Sequence, residues 1–195
     1  MSRNSALLFV LPLLVWTSAA NATVHPYLAF LDGPSESPPN ASPGIGTGEF
    51  LYNDVNHMFT VDMSFSGLLG TTTASHIHAP TLSPFTSTAN VATTTPTFAG
   101  FPLGVTSGVY HNVLDLTQAS SWNPSYISAN GNTTAGAEAA FIQAINDGKA
   151  YINIHTTVVP GGEIRGFLLT PEPTTCGLAM LGMAGIGCIA RRRHS

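Results

Sequence analysis

The sequence predicts an all-β fold, a Greek-key sandwich or flattened barrel carrying one short helix. Three observations predict it. Residues 57–66 alternate with a period of two, setting Phe59, Val61, Met63 and Phe65 against Thr60, Asp62, Ser64 and Ser66. Turn-forming Gly, Pro, Asn and Ser interrupt the chain at short intervals. Only residues 135–146 carry a helical stripe, Ala139, Ile142 and Ile145, with Gly148 as its stop.

The elements follow in order. Val24 to Leu31 opens the domain as a strand, and Gly33-Pro34-Ser35-Glu36-Ser37-Pro38-Pro39 is a loop. Glu49 to Tyr52 is a second strand, joined to the 57–66 strand by Asn53-Asp54-Val55-Asn56, a sequence with hairpin-turn chemistry. Ala74 to Ala79 is a short strand ended by Pro80. Thr81 to Pro102 reads as a long loop with one weak strand near Val91. Ser107 to Leu116 is another strand. After the helix come Ala150 to His155, a Gly161-Gly162 turn, and a closing strand from Glu163 to Leu169. That makes seven or eight strands, as in sandwiches and flattened barrels.

Both ends read as targeting segments. Arg3, an apolar run from Ala6 to Trp16 and small residues up to Ala22 have the order of a secretory signal helix, cleaved after Ala22 so that the mature chain starts at Thr23. At the other end, Pro171-Glu172-Pro173 breaks regular structure, and an apolar stretch from Cys176 to Ala190 precedes Arg191, Arg192 and Arg193. That stretch reads as a short C-terminal transmembrane helix with the arginines kept cytoplasmic, or as a tail recognised in the membrane and then cut. The expected organisation is a signal peptide over 1–22, one domain over 23–170, and a sorting or anchor segment over 171–195.

Composition excludes several classes. Between Thr23 and Thr170 only Lys149 and Arg165 are basic, against nine acidic residues, a formal balance of −7. Nucleic acid and anionic lipid surfaces are poor partners for such a domain. Both cysteines, Cys176 and Cys188, lie in the tail, so the domain has no disulfide, thiolate metal site or cysteine nucleophile. No nucleophile elbow, phosphate loop, His-Glu-x-x-His or EF-hand pattern is present, and no catalytic residues are assigned.

Two groupings could carry chemistry. His76-Ile77-His78 places two imidazoles on one face of a strand, and His155 ends the last-but-one strand, within easy cross-strand reach. Three imidazoles suit copper or zinc and leave an open position. The same histidines also fit a structural role, bonded to backbone or carboxylate. Glu163 and Arg165 are two apart, near His155, and read either as a salt bridge closing the turn or as an arginine guiding an anion toward a metal. His25, His57, His111 and His194 read as surface or packing residues.

Residues 171–195, with Pro-Glu-Pro, a short Gly/Ala/Leu-rich helix and terminal arginines, resemble the PEP-CTERM sorting signal of Gram-negative bacteria. The resemblance implies an exosortase-type transpeptidase as partner and an organism that makes extracellular polysaccharide. Residues 28–169 resemble the CHRD domain, first described in chordin and widespread in bacterial exported proteins. Gly33 to Pro39 with Gly46-Thr47-Gly48, Ser75-His76-Ile77-His78-Ala79-Pro80, and Tyr151 to Thr156 with Pro160 to Gly166 carry the match. That family is similar in pattern to copper/zinc superoxide dismutase. The similarity puts His76, His78 and His155 on copper-ligand positions and Arg165 near an anion-guiding position, while a zinc site and a disulfide are missing.

The expected protein is therefore an exported surface or matrix protein, transiently anchored in the inner membrane through its C-terminal helix. It is read as a non-catalytic module binding polysaccharide or surface proteins, with a copper-binding or copper-only dismutase-like protein as the alternative.

Overall fold

A computed structural model describes residues 23–171. The expected signal helix, its cleavage residue Ala22, the expected transmembrane helix, His194, and the sorting residues Glu172, Pro173, Arg191, Arg192 and Arg193 lie outside the described residues. No helix among the described residues is long and apolar enough to cross a membrane.

The fold is mostly β. Seven strands form one antiparallel sheet: β1 (Val24–Asp32), β2 (Ile45–Asn53), β3 (Met58–Ser66), β4 (Thr72–His78), β5 (Gly108–Asp115), β6 (Tyr151–Thr156) and β7 (Ile164–Phe167). Their order in space is β4-β6-β7-β1-β2-β3-β5. The sheet curls into a half-barrel, one sheet rolled around its own apolar face, nearer to the flattened barrel of the expectation than to its sandwich. Among the described residues the domain has two α-helices rather than one, α1 (Pro124–Ala129) and α2 (Thr134–Asn146).

Alternation decides which face is inside. On β3 the residues at positions 59, 61, 63 and 65 are buried and those between them are not, so Phe59, Val61, Met63 and Phe65 line the concave side. Tyr27, Ala29 and Leu31 of β1 and Phe50 and Tyr52 of β2 join them. Helix α2 plugs the hollow. Phe141 meets Phe59 edge-on at 5.4 Å and Trp122 at 5.4 Å.

The buried stripe of α2 is Ala137, Phe141, Ala144 and Ile145, whereas Ala139 is exposed, a rotation from the expected face. Phe141 sets that rotation, because the largest apolar side chain claims the core. Thr133 caps the helix start by accepting from the Gly136 N–H. Gly148, at φ +67°, ends it in a backbone conformation that L side chains rarely adopt.

The long segment between β4 and β5 is ordered by the edge it covers. Its backbone bonds to β4 through Ala92 N–H to the Ile77 carbonyl (2.9 Å), Phe98 N–H to Ser75 (3.1 Å) and Gly104 N–H to Thr72 (2.9 Å). Ala92, Phe98 and Phe101 enter the core. The weak strand expected near Val91 is an isolated bridge to His78. A strand edge that would otherwise stay exposed is thereby closed.

Candidate metal centre

Pairing of β4 with β6 builds the site. Ala74 faces His155, His76 faces Asn153, and His78 faces Tyr151. Directly opposed residues of an antiparallel pair share a face. Strand β7 extends the rows, Arg165 beside Asn153 and Phe167 beside Tyr151. The intervening Ile77, Ile152 and Ile154 fill the core. The alternation that packs the interior thus collects three imidazoles, an amide, a phenol and a guanidinium on the opposite face.

The structure brings His76, His78 and His155 together. Ring centroids stand 5.3 Å apart for His76 and His155, 5.8 Å for His76 and His78, and 6.2 Å for His78 and His155. One ring nitrogen from each lies within 4.8 Å of the other two. Every ring is aimed by the backbone. His76 Nε2 donates to the Pro96 carbonyl (2.5 Å), His78 Nδ1 to Ala89 (2.8 Å), and His155 Nδ1 to Pro160 (2.8 Å). A carbonyl only accepts, so these nitrogens carry the ring protons and the opposite ones keep their lone pairs.

His76 Nδ1 and His155 Nε2 are buried without any partner. Such carbonyl-held rings with a free inward nitrogen are how proteins orient metal-ligating histidines. Burial lowers the pKa of His76 and pushes that of His78 down to about 4, so both are neutral at pH 7 and available as donors to a cation. His78 also stacks flat on Tyr151 at 4.8 Å.

Glu163 and Arg165 do not pair. Glu163 is fully buried and its carboxylate accepts from Ser42 Oγ (2.6 Å), Thr156 Oγ1 (2.6 Å), Leu69 N–H (2.5 Å) and Gly70 N–H (3.1 Å). Burial alone would raise its pKa, but these four donors outweigh it and hold the carboxyl below its usual range. Arg165 is 4% exposed. It bonds the Ser35 and Ser87 carbonyls, and its guanidinium lies 4.8 Å from the centre of the Tyr151 ring and 5.5 Å from that of Phe167.

The other histidines stand apart from the site. His25 and His111 sit at the surface beside Asp54 and Asp62, and His57 holds the buried Glu138, which also accepts from the Tyr52 hydroxyl at 2.7 Å.

Three residues on this face were not singled out from the sequence. Asn153 and Tyr151 alternate with His155 along β6, so the rule that pairs His76 with His78 also collects them. Glu36 carries no such signal, because it arrives from the proline-rich loop after β1. Burial raises its pKa to about 7, against the pull of Arg165, and its Oε1 is buried without a partner.

A carboxyl whose folded pKa is raised stabilises the fold while protonated. This contribution is whole below the ordinary value of 4.5 and is lost as pH rises toward about 7. Glu36→Gln is expected to flatten the stability curve over that window and to raise stability at pH 8 by about 2 kcal/mol. Urea titrations at pH 5 and pH 8 measure this, and an equal change at both pH values refutes it.

Fold and site define a class: a β-rich domain that presents a backbone-braced three-imidazole cluster on the outside of a curled sheet. The chain belongs to the CHRD domain family, whose model matches residues 27–168. A PEP-CTERM protein-sorting motif matches residues 169–193, directly after the domain. It marks the chain as an exported protein that an exosortase processes at its C-terminus, associated with the cell surface or membrane. Neither the curated proteins nor the solved structures contain a match to this chain.

Proposed function

We propose that this protein is a non-catalytic surface module that holds one transition-metal ion, copper or zinc, through His76, His78 and His155. One observation carries the reading: three rings, each held by a backbone carbonyl, bring one nitrogen apiece within 4.8 Å of the other two. Two ring nitrogens, His76 Nδ1 and His155 Nε2, are buried with nothing to bond, which costs about 1–3 kcal/mol apiece unless a ligand satisfies them. A cation between the rings removes that cost. Imidazole is a ligand that both Cu(II) and Zn(II) accept.

The module reading is favoured over a dismutase-like enzyme by Arg165. Guiding a small anion needs a guanidinium presented to solvent, and this one is enclosed by two rings and two carbonyls. Its role is to tie the loops after β1 and β4 to β7. With its balance of −7, the domain suits neutral polysaccharide or surface proteins as neighbours in the matrix.

Calorimetric titration of the purified protein with Cu(II) and with Zn(II) tests the site. One equivalent bound, with a rise in melting temperature, is the expected result. No heat and no thermal shift with either ion would make the three histidines structural.

A further inference from the structure

We propose that the side-chain oxygen of Asn153 is a fourth ligand of the cation, and that Glu36 holds the amide in the orientation that makes it one. The inference rests on the three-histidine reading and extends it to a residue outside that cluster.

Hydrogen-bond direction carries the argument. His78 Nδ1 lies 2.8 Å from the Ala89 carbonyl, so it must carry the ring proton, and Nε2 is left with a lone pair. Asn153 Oδ1 lies 3.2 Å from that same Nε2. A carbonyl oxygen and an unprotonated nitrogen both accept, so nothing between them bonds. Two acceptors held this close, 2% and 8% exposed, repel unless a positive charge sits against both.

Turning the amide over would place its NH2 toward His78 and relieve the clash, but Glu36 opposes this. Gly162, at φ +131°, approaches so closely that an added Cβ would lie 2.5 Å from Glu36 Oε1 and 2.7 Å from Asn153 Nδ2. The two polar atoms therefore crowd one spot. Beside an ionised Glu36 an NH2 group belongs, and the amide oxygen does not. Glu36 Oε1, buried and otherwise unpartnered, thus selects the orientation that sends Oδ1 toward the imidazoles.

Distances agree. With metal–nitrogen and metal–oxygen bonds near 2.0–2.2 Å, adjacent ligand atoms of a tetrahedral centre stand roughly 3.3 Å apart and opposed ones of a planar centre roughly 4 Å. The 3.2 Å between Oδ1 and Nε2 is the first of these, and the spread of up to 4.8 Å among the imidazole nitrogens needs only a small closure. Three nitrogens and one neutral oxygen leave the cation its full charge and suit Cu(II) or Zn(II) over hard ions such as Mg(II) or Ca(II).

The test is Cu(II) titration of the full-length protein with electron paramagnetic resonance, on the wild type, Asn153→Ala and Asn153→Asp. Asn153→Ala is expected to weaken binding 10- to 100-fold and to shift the copper hyperfine splitting. Asn153→Asp, which keeps an oxygen at the same place, is expected to bind at least as tightly as wild type. Unchanged affinity and spectrum in Asn153→Ala would overturn the fourth ligand while leaving the histidines standing. Equal weakening in both variants would also overturn it, since the amide would then act by shape alone. A wild type that takes up neither Cu(II) here nor Zn(II) by calorimetry would overturn the three-histidine reading and this inference together.

Discussion

Glu163→Ala is expected to lower the melting temperature by roughly 10 °C, the largest effect of any single charge removal in this domain. The carboxylate is the meeting point of three segments far apart in sequence: Ser42 after β1, Leu69 and Gly70 between β3 and β4, and Thr156 at the end of β6. Removing it strands two buried hydroxyls and two backbone amides. The hydroxyls can turn to other acceptors, but the amides are fixed by the chain. Each unsatisfied group costs about 1–3 kcal/mol, and water entering the gap offsets part of it, leaving about 4 kcal/mol.

Glu163→Gln keeps the shape and two acceptor lone pairs but turns an NH2 toward donors, so about half the loss is expected. Because the folded pKa is depressed, the clasp stabilises the domain above the ordinary carboxyl value and is lost as pH falls through the lower folded value. Scanning calorimetry at pH 7 and pH 3 reads both effects. A drop below about 3 °C at pH 7 would show that the four donors are satisfied without the carboxylate.

His155→Ala is expected to weaken Cu(II) binding by at least about 100-fold while changing the melting temperature of the metal-free protein little. His155 is the cleanest of the three histidines to remove. It is only half-buried, and its carbonyl partner Pro160 lies in an exposed turn where water can replace the ring. His76 is 7% exposed and bonds Pro96 at 2.5 Å, so its removal also leaves a gap and a stranded carbonyl, costing about 1–2 kcal/mol in the absence of any metal. His155→Ala binding as wild type would exclude a three-imidazole site.

Much of this architecture was written in local pattern. Period two located β3, which is wet on alternate residues, whereas β4, β6 and β7 are buried on both faces over most of their length and were bounded instead by the turn residues around them. The His-x-His pair and His155 could be placed together because alternate residues of neighbouring strands share a face of the sheet. The count of sheets was not legible, since a curled sheet and two packed sheets produce the same alternation. Helix α1 was passed over although Asn123 caps it, accepting from the Ser125 N–H, and Pro124 starts it, a signature as readable as the strands. At the site, the spacing of His76 and His78 was local and visible. The partners that aim the rings, Pro96, Ala89 and Pro160, act through backbone carbonyls, which no residue type announces. Glu36 was hidden for another reason: its neighbours Arg165 and Asn153 lie more than a hundred positions away.

The place of β1 in the sheet has a consequence for how the exported chain matures. The first strand occupies the fourth of seven positions, flanked by β2 on one side and by β7, the last strand, on the other. A chain emerging from its N-terminus can zip β1, β2 and β3 into a meander at once, because those contacts are local. The other half must wait, since β7 bridges to β1 through Asp32 and Arg165, residues at opposite ends of the domain. Until β7 has emerged, β1 is an open edge on the side that β7 will cover. The sheet is therefore finished only when its last strand, ending at Phe167, arrives, and the sorting motif begins two positions later, at residue 169.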